Sequence, residues 1–240
     1  MKELTMICCY NDSSLYDKLI DNVNLQTVPV EMIGIDNTKN RFSSCSKAYN
    51  YAISKVKTEY VVFLHQDIVF VEPNTLERIL KYLYKISDFD ILGLAGAKNG
   101  SKYVLTNIFV GDLNHYGGTL RVSGLQECDT LDECIFGGKT ECFRQYPFDE
   151  KICNNWHLYA VERSLAAKKR GNKVYVCDVS LLHLSKGNVD INFDKTFLDL
   201  CRYYRDTFKE IHTPCAVSKT NDINLLLWSI KSKIKRKVKS

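Results

Sequence analysis

The chain has no long apolar run, no paired-cysteine zinc signature, no glycine-rich phosphate fingerprint and no internal repeat, and each absence removes a class of protein. The opening residues, Met1 to Asp12, carry too short an apolar stretch for a signal peptide or a membrane span, so the expected location is cytoplasmic. No C-x-x-C pair occurs among the ten cysteines, which argues against a structural zinc. The lack of a leader and the chain length argue against a disulfide framework, leaving reduced, mostly buried thiols as the expectation. Neither G-x-G-x-x-G nor G-x-x-x-x-G-K-[ST] is present, so the dinucleotide fingerprint and the P-loop do not apply. With no low-complexity segment, 240 residues suffice for one domain with a full core and a small appendage.

Charge is unevenly placed. The net charge is +5, but six of the 33 basic residues lie in the last ten positions: Lys231, Lys233, Lys235, Arg236, Lys237 and Lys239. That leaves 27 basic against 28 acidic residues in the body, with no basic stripe for nucleic acid. In the tail, Leu227, Ile230, Ile234 and Val238 recur at helical spacing, with Trp228 near the start and lysines on the other face. This pattern suits a helix lying on an anionic membrane surface. A solvated tail and a helix docked on the domain or a partner are the competing readings.

The first half alternates strand and helix signals, which indicates an α/β protein with a mostly parallel central sheet flanked by helices. Strands are expected over Leu4–Cys9, Val30–Ile35, Tyr60–Leu64 and Ile91–Ala95, and helices from near Leu15, over Ser43–Lys55 and over Leu76–Ile86. Asn99 to Gly124, rich in glycine, asparagine and aromatics, reads as hairpins or a loop over a cleft. Asp129 to Lys139 packs Asp129, Asp132 and Glu133 before an apolar pair and Gly137-Gly138. A helix opening around Asn155–Arg163 runs to about Arg170 and stops at Gly171, and Val174–Cys177 is a late strand.

Three of these strands end in polar residues: Tyr10-Asn11-Asp12, Asp36-Asn37 and His65-Gln66-Asp67. In a parallel sheet such endings gather on one edge, where open α/β sheets bind their ligands. Asp67, a carboxylate beside two hydrogen-bonding side chains, is placed to hold a divalent cation and a phosphate; the alternative is an acid that only caps a turn.

The segments Ala48–Ile53, Tyr60–Asp67, Phe148–Glu150, Trp156–Tyr159, Gly171–Val176 and His183–Ser185 together resemble a bacterial glycosyltransferase of the GT-A fold, similar to family 2 and to a capsule-type glycosyltransferase-like subgroup. The resemblance covers residues 4 to about 187 in the expected order. It implies a GT-A, nucleotide-diphospho-sugar transferase domain over 1–190 and a C-terminal helical extension over 191–240. It also implies a nucleotide-sugar donor, first of all a UDP-sugar, bound with Mg or Mn at a D-x-D-like motif. Here that motif reads His65-Gln66-Asp67 and keeps one acid, so the resemblance makes Asp67 the metal ligand and His183 a second; His183 also reads as a core histidine. Asp36, with Asn37, corresponds to the carboxylate set against the nucleotide base. Tyr10 and Asn11 face base or ribose, and Lys47 and Asn50 are cleft candidates, with turn chemistry and helix solvation as competing roles for Asn11 and Lys47.

An inverting transferase needs a base for the acceptor hydroxyl. Family 2 draws it from a Glu-Asp pair at the start of the late helix, where this sequence reads Trp156 to Glu162 instead. His157 is the first candidate, Glu162 the second, and Asp132 the third. The expected activity is transfer of a sugar to a surface polysaccharide or lipid-linked glycan at the inner face of the membrane. A non-catalytic relative that scaffolds glycan assembly is one alternative. A sugar nucleotidyltransferase is the other, disfavoured because no glycine-rich basic loop follows the first strand.

Overall fold

The computed structural model describes residues 3–185, 187 and 189–239. In chain order the elements are β1 (Leu4–Tyr10), α1 (Ser13–Asn24), β2 (Glu31–Asp36), α2 (Cys45–Ile53), β3 (Tyr60–Leu64), β4 (Ile68–Val69), α3 (Thr75–Leu83), β5 (Ile91–Gly93), β6 (Ala95–Ala97), β7 (Val104–Thr106) and β8 (Phe109–Val110). There follow β9 (Leu125–Cys128), β10 (Thr130–Leu131), β11 (Ile135–Lys139), α4 (Thr140–Gln145), α5 (Tyr159–Lys169), β12 (Val174–Cys177), β13 (Leu182–His183), α6 (Ile191–Tyr203), β14 (Glu210–His212), β15 (Val217–Lys219) and α7 (Asp222–Lys239).

A seven-stranded sheet in the order β2-β1-β3-β11-β5-β12-β9 forms the centre. β2, β1, β3, β5 and β12 run one way, and β11 and β9 run against them. The period-2 alternation of β1 and β3 sends side chains to two separate cores. Ile7, Val61 and Phe63 meet α2, α4 and α5 on one face. Leu4, Met6, Val62 and Leu64 meet α1 and α3 on the other. Apolar burial on both faces is why these strands read as continuous hydrophobic runs.

Local chemistry sets the helix starts. Asp12 caps α1, accepting from the amides of Ser14 and Leu15 at 2.9 and 3.1 Å, and the Ser44 hydroxyl caps α2 through Lys47 N. α5 starts later than the apolar pattern implies. Leu158 sits in the left-handed region at φ 63° and ends a turn over Trp156–Leu158 before the helix begins at Tyr159. Gly171, at φ 86°, closes α5 as expected.

Two features depart from the sequence reading. The fourth strand is split: β5 stays in the central sheet, while β6 crosses into a small sheet with β7 and β10. β11, formed by the apolar pair and double glycine that follow the three acids and not among the expected strands, is a central strand. A Cβ on Gly137 would collide with the carbonyl oxygen of Val61, and one on Gly138 would lie 2.9 Å from the carbonyl of Asp90, so only glycine lets the neighbouring strands close on it. The Asn99–Gly124 segment contributes β7 and β8, with a parallel bridge from Leu105 to Leu120 and an antiparallel one from Phe109 to Tyr116.

Residues after 190 build a third core. Phe193, Phe197 and Leu200 of α6 and Leu225 of α7 pack on Leu158, Val161 and Leu165. Trp228 packs at a tilt against Phe197, ring centroids 4.7 Å apart, and Arg236 reaches Asp194 and the carbonyls of Val189 and Asp190. α7 is therefore docked on the domain along one face. On its other face Ile223, Leu226, Leu227, Ile230 and Ile234 are exposed, while the side chain of Val238 lies outside the described residues.

Candidate active site

The polar endings of β1 and β3 share one edge because the strands are parallel and in register, with Cys8 opposite Leu64. β11 adds to that edge by running the other way. Its first residue, Ile135, pairs with Leu64, so the acids that precede it arrive where β3 ends, and His65 N bonds to Cys134 O at 3.0 Å. A second small sheet, β4-β13-β8, brings His183 beside the same place. The result is a cavity of about 500 Å³ over the sheet edge, the size range of small-ligand sites.

His65, Asp67 and His183 converge in its wall, each offering a ligand atom within 4.8 Å of the others. Asp67 Oδ1 lies 3.2 Å from His183 Nε2, and Asp67 Oδ2 accepts from Ser185 N at 3.3 Å. Burial works to raise the Asp67 pKa, but the His183 bond and charge outweigh it and hold the carboxyl well below the usual range. Burial likewise works to lower His183, and the Asp67 bond and the charges of Asp67 and Asp132 leave it raised. His65 Nε2 is 3.0 Å from the Tyr159 hydroxyl, and burial together with the neighbouring His183 lowers its pKa, keeping an imidazole lone pair available.

The donor-side candidates divide. Tyr10, Asn11, Asn37 and Gln66 line the cavity. Tyr10 stacks flat on Tyr16 at 4.1 Å, and Gln66 ties the two strand ends together by accepting from the amides of Asn11 and Asp12 at 3.0 Å. Asn37 is buried and uses its amide to hold the Phe42 backbone. Three others stand outside the lining. Asp36 is exposed and folds back on Thr38 N and Oγ1, Lys47 bonds to Ser43, and Asn50 holds the Phe148 backbone in both directions and Glu150.

The base candidates divide too. His157 lines the cavity from the turn ahead of α5, with Nε2 3.0 Å from Asp190 Oδ1 and its ring edge-on to Phe193. Asp132 lines it as well, with Oδ1 held by Cys134 N at 2.9 Å. Glu162 does not: α5 turns it inward, where it is buried and accepts from the Tyr204 hydroxyl at 2.8 Å. The packing of α5 against α6 decides this, with Glu162 on the face toward Tyr204.

Sequence reasoning passed over Glu133, Tyr159 and the cysteines Cys9, Cys45, Cys134 and Cys215, all of which line the cavity. The adjacent acids ahead of β11 were the available signal for Glu133. All ten cysteines are free, eight of them buried.

The model of the glycosyltransferase-like family matches residues 5–206, most of the chain. The chain belongs to the glycosyltransferase-like family. No curated protein matches in sequence. Among solved structures, the fold is similar to the mannosyltransferase PcManGT from Pyrobaculum calidifontis, solved with GDP-Man and Mn2+, at 13% identity and TM-score 0.54 over 85% of this chain and 62% of that one. It is also similar to S. aureus TarS 1-349 with UDP-GlcNAc, at 16% identity and TM-score 0.55 over 86% and 66% respectively. The chain thus spans under two thirds of the length of these structures, and the likeness establishes a GT-A fold. In this glycosyltransferase-like chain the His65, Asp67 and His183 cluster stands at the end of β3. Among the described residues no helix is long and apolar enough to cross a membrane.

Proposed function

We propose that the chain transfers a sugar, with inversion, from a nucleotide-sugar donor, most simply a UDP-sugar, to a surface polysaccharide or lipid-linked glycan. The observation that carries this reading is the convergence of His65, Asp67 and His183 at the end of β3, inside a cavity of ligand size, in a chain of this family. PcManGT and TarS hold GDP-Man with Mn2+ and UDP-GlcNAc respectively, which supports the donor class.

The donor set fits a divalent cation. Two imidazoles and one carboxylate suit Mn better than Mg, which favours oxygen ligands. When bound, the cation neutralises charge on the departing nucleoside diphosphate. The chain's own residues do the rest. Asp67 supplies the one negative charge, Tyr159 fixes the His65 ring, and Gln66 holds the ends of β1 and β3 in register for Tyr10 and Asn11 to meet the nucleoside. Residues 191–240 serve as an appendage on the transferase domain, and their helix α7 supplies a membrane contact. Its exposed Ile223, Leu227, Ile230 and Ile234, flanked by lysines, suit an anionic bilayer surface on the cytoplasmic side.

A panel of UDP-, GDP- and other nucleotide sugars, each with and without Mn2+, tests the donor reading: one of them should raise Tm, and more so with the ion. No shift with any member overturns it. For the membrane contact, Ile230→Glu with Ile234→Glu should abolish sedimentation with phosphatidylserine-containing vesicles while leaving Tm unchanged, since both side chains are exposed; undiminished sedimentation rejects the contact.

A further inference from the structure

Glu133 lies in the cavity wall one residue from Asp132, just ahead of β11, and none of the roles above uses it. Its Oε1 is cut off from solvent and has no hydrogen-bond partner. A buried oxygen left in that state is destabilising, and a catalytic role is one of the reasons a fold keeps such a group. The other two acids near the cavity are already engaged: Asp67 by His183 and Ser185, Asp132 by the amide of Cys134. His157 has Nε2 committed to Asp190. The start of α5 supplies no acid that reaches the cavity, because position 160 is alanine and Glu162 points at Tyr204.

We propose that Glu133 is the general base of the transfer, accepting the proton of the attacking hydroxyl on Oε1. This rests on the transferase reading above. In the step, the hydroxyl oxygen forms the bond to the anomeric carbon as its proton passes to Glu133. The carbon–oxygen bond to the donor breaks at the same time, and its electron pair leaves on the nucleoside diphosphate. His157 and Asp132 then shape the acceptor side of the cavity without taking the proton. Burial and the neighbouring Asp132 charge raise the Glu133 pKa to about 8, which makes its carboxylate a stronger base than an exposed glutamate. Geometry stands beside that basicity: Glu133 is one of the residues that line the cavity, and its unpartnered oxygen has no competing donor there.

The test uses the full chain with whichever nucleotide sugar gives the largest thermal shift in the panel, with water as the acceptor and nucleoside diphosphate release as the signal. Glu133→Gln should keep the donor's thermal shift and lower the release rate by about 100-fold or more, the range a positioned base contributes. Glu133→Ala should be as slow, and added formate should restore part of its rate, which a purely structural role would not allow. If donor binding persists and Glu133→Gln releases at the wild-type rate, the assignment is wrong. It is equally wrong if both variants are slow and formate restores nothing to a folded Glu133→Ala protein. If no nucleotide sugar shifts the wild-type protein, the transferase reading falls first and this assignment falls with it, a result distinct from the other two. Should Glu133→Gln fail to fold by circular dichroism, Glu133→Asp takes its place: a retracted carboxylate should slow release while the donor shift survives, and an unchanged rate rejects the role.

Discussion

Asp67 and His183 stand 3.2 Å apart because β13 runs antiparallel beside β4, with His183 opposite Ile68. Leu184 N, bonded to Asp67 O at 3.0 Å, locks that register. Asp67 stands in the turn just ahead of β4 and His183 in β13, so strand pairing sets the spacing of these two candidate ligands.

Removing either ligand should be costly for the ion and mild for the fold. Asp67→Asn and His183→Ala should each raise the Mn2+ concentration needed for the donor-induced Tm shift by more than tenfold, at least the loss seen when only an outer partner of a ligand is removed. Titrating Mn2+ at fixed nucleotide sugar measures it, and a wild-type response in both variants would reject the ligand assignment.

The same pair sets a pH window in metal-free protein. Asp67 is lowered on folding, so its contribution is present above its unfolded pKa of about 3.9 and is lost as pH falls through the folded value. His183 is raised, so its contribution is complete below about 6.5 and fades as pH rises through the folded value. The Tm difference between wild type and His183→Gln should be widest between about pH 4 and 6.5 and shrink above it. Mn2+ affinity should climb as pH rises above about 6.5, where the raised His183 loses its proton, because a ligating imidazole must be neutral.

Glu133 gives the opposite balance. Its pKa is raised, by burial first, to about 8 from an unfolded value near 4.3, so the folded state holds a proton that the unfolded state has lost. Stability from this group falls as pH rises through that interval. Glu133→Gln keeps the shape of the neutral acid and should gain in Tm over wild type from about pH 4.5 up to about pH 8, with a constant difference beyond. Thermal melts across the range check it, and a flat difference would contradict the buried-acid assignment.

Gly137→Ala should destabilise the protein by about 1–3 kcal/mol or more, since the new methyl meets the Val61 backbone and not a side chain that can swing away. A urea midpoint shift reads this directly.

Arg236→Ala should loosen α7 more than it loosens the domain. Arg236 closes on Asp194 and on the carbonyls of Val189 and Asp190, half in water, so the loss should be about 1 kcal/mol. Amide exchange should speed up over residues 222–239 and stay unchanged over β1 and β3.

The strands and helices of the first half were legible because each carries a local signal: both-face burial in β1 and β3, capping acids and hydroxyls at Asp12 and Ser44, and Gly171 at the end of α5. β11 was not legible, since glycines usually mark turns and the reason for these two lies in the backbones of strands far away in sequence. The convergence of three strand endings was readable from parallel order alone. Glu162 was a candidate from its place in the resemblance, yet α5 turns it inward onto the Tyr204 hydroxyl. Asp36 and Asn50 looked like ligands from their positions, yet both hold backbone or side-chain neighbours, a distinction that residue type does not carry. For Glu133 the adjacent acids ahead of β11 were the one signal in the sequence, while its unpartnered oxygen exists only in three dimensions.

The sulfur lining of the cavity bears on selectivity between nucleophiles. A glycosyl donor presents an electrophilic carbon, and a thiolate would attack it faster than any hydroxyl. Burial pushes Cys9 up to about 12 and raises Cys45 and Cys134 well above the ordinary thiol value, so at neutral pH these groups remain S–H. On the proposed function, the wall is lined with soft atoms that would not compete for the sugar, and the burial of these thiols would suppress self-glycosylation on sulfur.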